Sequence, residues 1–170
     1  MVYLTSDLHI GHDFMARTRG FESTKEHDDY IIQQINKVVH KKDKLFILGD
    51  VFWKAKYYDQ MCEINCRFID VILGNHDCGF VRPWTLGRVN FYGSLKYQNF
   101  ILTHIPILEQ EMARWKGNIH GHIHETGMTD NPNNPHYFNV NLEFHNYEPV
   151  SIDLIEASYP WASIKDQRRC

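Results

Sequence analysis

Polar residues able to ligate a metal or move a proton stand directly after short apolar runs at five points of the chain. Asp7 and His9 follow the first run, residues 2–6. On extended backbone a spacing of two directs both side chains to one side, so a carboxylate and an imidazole reach the same ion. By itself such a pair is equally a turn with a solvated histidine. Residues 44–48 run into Gly49 and Asp50, and residues 68–73 run into Gly74, Asn75, His76 and Asp77. Asn75 offers an amide oxygen, His76 an imidazole that titrates near neutral pH, and Asp77 a carboxylate to orient it. Gly, Asn and Asp are also what polar turns are made of. Residues 99–103 deliver His104, and residues 117–124 carry His120, His122 and His124 in alternation, on one face of a strand unless Gly121 bends it. A lone histidine on a strand is usually structural, whereas two or three on one face beside a glycine point toward metal. Eleven histidines outnumber ten glycines, which directs the search to metal ligands.

These clusters need elements to hold them. The apolar runs 2–6, 44–48 and 68–73 read as buried strands, and residues 117–124 as another strand and its exit. Residues 88–92, 94–97 and 99–103 read as a short antiparallel set, and residues 137–144 as one more strand. Tyr30, Ile31, Ile35, Val38 and Val39 recur at helical spacing, with Glu26, Asp28 and Asp29 near the start and Lys37, His40, Lys41 and Lys42 near the end, so residues 25–40 predict a helix matched to its dipole. A weaker helix is predicted over 57–65, a short one within 105–115, and a final one capped by Ser151. Residues 14–24 read as a loop whose Arg17 and Arg19 are either surface charge or a grip on a substrate phosphate. Phe52 and Trp53 either pack beneath the Asp50 loop or line a pocket.

A chain of 170 residues, 43% apolar and 23% charged, predicts one domain over 1–170 with a core that needs no disulfide or structural metal. No apolar run reaches the length of a membrane-spanning helix. The first strand begins at Met1 with no basic and apolar leader ahead of it, and Cys62, Cys66, Cys78 and Cys170 are too few and too irregular for a disulfide framework. A cytoplasmic protein with reduced thiols is expected. The net charge of -3 offers no case for gripping duplex nucleic acid through many phosphates.

Asp-x-His, Gly-Asp, Gly-Asn-His-Asp, a single His after a strand and Gly-His-x-His, in this order from Asp7 to His124, resemble the calcineurin-like metallophosphoesterase superfamily. The series is far more specific than any member of it. The resemblance implies an α+β fold, an αββα sandwich of two mixed sheets flanked by helices. It implies that Asp7, His9 and His124 bind one divalent metal, that Asn75, His104 and His122 bind a second, and that Asp50 bridges them. A water between the ions would be the nucleophile, His76 the leaving-group acid and Asp77 its supporting partner. Mixed imidazole and oxygen ligands suit Mn, the working expectation, and equally Fe, Ni, Co or Zn.

Departures from the superfamily's protein phosphatases narrow the expected substrate. Those enzymes carry Gly-Asp-x-Val-Asp-Arg-Gly and Gly-Asn-His-Glu, whereas Gly49-Asp50-Val51-Phe52-Trp53-Lys54 and Asp77 stand here, without the phosphate-binding arginine of that motif. The near-minimal length and the Asp7 to His12 opening are similar to small bacterial and phage-type members. A phosphodiesterase acting on a small diester, with nucleotides a candidate class, is therefore expected, with Phe52 and Trp53 stacking on a base and Arg17 and Arg19 near the phosphate. Alternatives are a phosphomonoesterase with the same site, or a non-catalytic metal-binding interaction scaffold.

Overall fold

Alternation within single strands accounts for the layering. In a computed structural model, which describes residues 1–77, 89–124 and 136–158, strand β2 (Lys44–Leu48) directs Leu45 and Ile47 into one apolar cluster and Phe46 and Leu48 into another. A strand with both faces apolar must be covered on both. Helix α2 (Thr24–Val38) covers the first face through Ile31 and Ile35; Phe100, Leu102 and Ile119, from a second sheet, cover the other.

The first sheet has the order β4-β3-β2-β1-β9, with β1 at Val2–Thr5, β3 at Phe68–Ile72, β4 at Val89–Tyr92 and β9 at Val150–Ser151. Its pairs are parallel except β1 with β9. The second has the order β5-β6-β7-β8, with β5 at Leu95–Tyr97, β6 at Phe100–Leu102, β7 at Gly117–His120 and β8 at Tyr137–Asn139. It is parallel except for the β5–β6 hairpin. Both sheets are thus mixed, helices flank them, and the αββα sandwich of the α+β class is the architecture. Strands β1, β2, β3, β6 and β7 all discharge their polar exits at carboxyl ends, where ligands bind in parallel sheets. A parallel bridge between Ser6 and Asn141 fastens the two sheets together at that end.

Several elements differ from the expectation. The predicted loop over 14–24 contains helix α1 (Asp13–Thr18); it buries only Ala16, so it has almost no apolar periodicity to read. The expected antiparallel set is split: β4 pairs parallel with β3 in the first sheet, and only β5 and β6 form a hairpin. Residues 137–144 do not stay extended. β8 stops at Asn139, and Leu142–His145 form a 3₁₀ turn whose Glu143 amide donates to the Asn141 side chain at 3.0 Å, a local bond that competes with a ladder. The predicted helices at 57–65 and 105–115 are 3₁₀ segments, Ala55–Glu63 and Glu109–Arg114. Ser151 does cap helix α3 (Ile152–Ser158), accepting from the Leu154 amide at 3.2 Å. Residue 88, the 131–135 loop, Cys78, Cys170 and the chain's last residues lie outside the described residues. Among the described residues no helix is long and apolar enough to cross a membrane.

Candidate metal centre

The strand exits turn by left-handed backbone. Asp7, His9, Asp50 and His122 have φ of 59°, 52°, 52° and 71°, so the extended geometry expected for Asp7 and His9 is not what aligns them. Gly49 has φ of 88° and lies so close to the His104 ring that a Cβ there would collide with it. The turns are interlocked: the Asp7 amide donates to Gly49 O and the His9 amide to Asp50 O, each at 2.9 Å.

Two clusters of donor atoms result, Asp7 with His9 and His124, and Asp50 with His104 and His122. His104 Nδ1–H donates to the Leu48 carbonyl at 2.7 Å, which leaves Nε2 a bare lone pair. That lone pair faces Asn75 Oδ1 at 3.0 Å and Asp50 Oδ2 at 3.4 Å, three acceptors converging on one point. His124 Nδ1–H donates to Glu143 Oε1 at 2.9 Å, leaving Nε2 toward Asp7 Oδ1 at 3.6 Å. His9 is buried with neither ring nitrogen hydrogen-bonded, and its Nε2 lies 4.0 Å from Asp7 Oδ1 and 3.9 Å from Asp50 Oδ2. Buried acceptors that face one another are unfavourable unless a cation comes between them. The donor set therefore fits divalent metals, and Asp50 stands between the two clusters.

Electrostatics carry the same imprint. Without a metal, a proton is the cation the His104 Nε2 position attracts: burial opposes protonation, yet a bond to Asp50 and the charges of Asp7 and Asp50 raise the pKa. Burial would raise the Asp50 carboxyl, but the His104 hydrogen bond and charge outweigh it and lower the pKa. Burial and the Arg19 charge depress His9. Asp7, almost wholly enclosed, is pushed up by burial despite His104 and the Ser6 hydroxyl, 2.5 Å away.

His76 sits at the rim, its side chain 38% exposed and its Nε2 3.8 Å from Asp50 Oδ2. Asp77 is not its partner. The Asp77 carboxylate is buried and accepts from the amides of Asp50 at 2.7 Å, Val51 at 2.9 Å and Gly74 at 2.9 Å. It ties the loop after β2 to the loop after β3. Arg17 is exposed and pairs with Asp13 at 3.0 Å, one helical turn away, rather than with the site. Arg19 is only 2% exposed and points inward, donating to the Asp7 and Leu8 carbonyls and to Glu143. Phe52 is buried against Tyr58, so packing is its role. Trp53 lies against His12, ring centroids 3.9 Å apart, and 5.2 Å from His76. His120 is turned into the core and joins neither cluster. The sequence reading missed Glu143, Ser6 and the buried Asp28, whose carboxylate receives the Gly11 amide at 3.0 Å. In sequence Asp28 reads as dipole complement, and its neighbour His27 is the available hint of something buried.

The chain matches the Calcineurin-like phosphoesterase family over residues 1–163 and belongs to that family. It is 33% identical over 162 residues to an uncharacterized protein of Methanocaldococcus jannaschii, covering 91% of this chain and 88% of that protein. It is 27% identical over 187 residues to the Gene 66 protein of Mycobacterium phage D29, covering 88% and 92%. Among solved structures, a protein of unknown function from Aquifex aeolicus superposes with a TM-score of 0.70 at 22% identity, covering 93% of this chain and 98% of that one. The Pseudomonas putida nuclease MPE superposes with a TM-score of 0.54 at 19% identity, covering 72% and 61%. The family is one of phosphoric ester hydrolases.

Proposed function

We propose that the protein is a dinuclear-metal phosphodiesterase of the cytoplasm, hydrolysing a small diester, with nucleotides the leading class. The observation that carries this reading is the convergence of bare lone pairs from His9, His104 and His124 on Asp7, Asp50 and Asn75. Asp7, His9 and His124 would hold one ion, Asn75, His104 and His122 the other, with Asp50 shared; Mn²⁺ is the favoured ion for this mixed nitrogen and oxygen set. Such ions supply Lewis acidity, neutralising phosphate charge and lowering the pKa of water. The chain's own contribution to bond cleavage is His76, which stands half-exposed beside Asp50 and donates a proton to the departing oxygen. Asp77 holds that loop in register and takes no proton.

The diester preference draws support from charge. Arg17 is spent on Asp13 and Arg19 on Glu143 and two carbonyls, so neither is available to a second phosphate charge. A diester carries a single one. A nuclease among the fold neighbours has diester substrates by name, but at 19% identity it shares only the fold, and the argument rests on this chain's own residues. Trp53, half-buried beside His76, offers a face for the planar group of the substrate.

The test compares bis-p-nitrophenyl phosphate with p-nitrophenyl phosphate, using metal-stripped protein with and without Mn²⁺. Metal-dependent turnover favouring the diester is expected. Preference for the monoester would overturn the diesterase reading, and metal-bound protein inactive on both and on a panel of nucleotide diesters would overturn the enzyme.

A further inference from the structure

Behind His124 runs a line of hydrogen bonds, part-buried at Glu143 and fully buried at Asp28, in which every donor meets an acceptor. His124 Nδ1–H gives to Glu143 Oε1 at 2.9 Å, and Arg19 gives to the same oxygen from Nε at 2.8 Å and Nη2 at 2.7 Å. Arg19 Nη2 also gives to the Asp7 carbonyl at 2.8 Å, and Nη1 to the Leu8 carbonyl at 3.1 Å and to His27 Nε2 at 2.9 Å. His27 then gives its Nδ1–H to Asp28 at 2.8 Å, and Asp28 receives the Gly11 amide with both oxygens at 3.0 Å. The line thus begins at a candidate ligand, passes under the Asp7 to Gly11 turn that carries two more, and ends on that turn's backbone.

We propose that Glu143 and Arg19 are a positioning pair that orients His124 and the Asp7–His9 turn, and so sets the metal affinity of that one position and not of the other. The inference rests on the dinuclear reading above. The cause is specific. A carboxylate on the far nitrogen of a ligating imidazole fixes the tautomer and ring direction and increases ligand basicity. Arg19 in turn fixes the carboxylate, because its planar fork is saturated by Glu143, His27 and two carbonyls and has no freedom to swing. On the other side His104 is oriented by a neutral backbone carbonyl, Leu48 O, which no side-chain substitution removes. Glu143 is therefore a charge-bearing support for one half of the centre alone.

The experiment is calorimetric titration of metal-free protein with Mn²⁺, with circular dichroism to confirm folding. Wild type is expected to bind two ions. In Glu143→Ala one ion is expected to bind about 100-fold more weakly while the other keeps its wild-type affinity. Glu143→Gln keeps an oxygen for the His124 N–H and loses the charge, so its loss at that same position should be about 10-fold. Two ions bound by Glu143→Ala as tightly as by wild type would overturn the pairing, and so would equal weakening of both, which describes general loosening. If Glu143→Ala does not fold, Glu143→Gln decides: wild-type affinity at both positions overturns the inference. A wild type that binds no Mn²⁺ brings down the dinuclear reading and this one with it, whereas a two-ion wild type with an indifferent Glu143 leaves that reading standing.

Discussion

The two halves of the proposed centre both combine a carboxylate with imidazoles and are held by different means. Asp50, Asn75 and His104 hang on the strand exits themselves, His104 on the Leu48 carbonyl and the Asp50 and Gly74 turns on the Asp77 carboxylate, while the His122 amide crosses to donate to Asp7 at 2.9 Å. Asp7, His9 and His124 depend on side chains brought from α1, α2 and the turn after β8, through Arg19, Asp28 and Glu143. His104 is anchored through Nδ1 to a backbone carbonyl, while neither His9 ring nitrogen has a hydrogen-bond partner. One half is therefore built into the sheet exits, and the other is completed only when distant elements have packed.

The sharpest break of this comparison is at the residue both halves share. Asp50→Asn removes the carboxylate that faces His9, His76 and His104, so turnover should fall to background and Mn²⁺ stoichiometry should drop below two; full activity with both ions bound would contradict its bridging role. His76→Ala touches neither half. Its rate should fall roughly 10²–10⁴-fold with both ions retained, and less for esters whose leaving groups need no proton. Asp77→Ala strikes only the backbone-knit half, stranding three buried amides. A loss of about 3 kcal/mol is expected, visible as a melting temperature lowered by roughly 6–12 °C in the metal-free protein.

An effect of similar size, confined to acid pH, comes from His120, behind the same half. Burial, with the charges of His104 and His122, outweighs its bond to the Gly121 carbonyl and lowers its pKa from 6.5 to about 4. The unfolded chain takes up that proton first. Stability from the neutral ring is thus complete above pH 6.5 and is lost as pH falls through that value to about 4, roughly 3 kcal/mol in all. His120→Asn in metal-free protein should flatten that part of a denaturation-against-pH curve; an unchanged slope would show that the ring titrates normally.

The backbone-knit half was the more legible in sequence, for a physical reason. A buried strand followed at once by Gly-Asp or Gly-Asn-His-Asp is a local signal, because apolar periodicity and turn chemistry lie within a few residues of each other. The layers were implied by the family resemblance, with which these strands are compatible. Glu143 was invisible, since it reaches His124 across 19 residues of chain and its own segment alternates like a strand. Arg19 failed for the opposite reason: an arginine beside a glycine in a polar stretch looks solvated, and only packing against Glu143 and Tyr147 encloses it. A carboxylate next to a histidine suggests a dyad, whereas the turn at Asp77 aims its carboxylate back at backbone amides. The destination of β4 depends on which sheet edge is open, which no local pattern records.

Left-handed backbone at Asp7, His9, Asp50 and His122 sets the protein's tolerance to change against its chemistry. Each such residue carries a conformational penalty of roughly 1 kcal/mol that glycine would relieve. In a library scored only for folding without metal, these positions should drift toward Gly and Asn. Scored for catalysis, they should revert. A drift of that kind, accumulating where turnover is not selected, would leave a well-folded sandwich whose lost activity is recorded at a few turns.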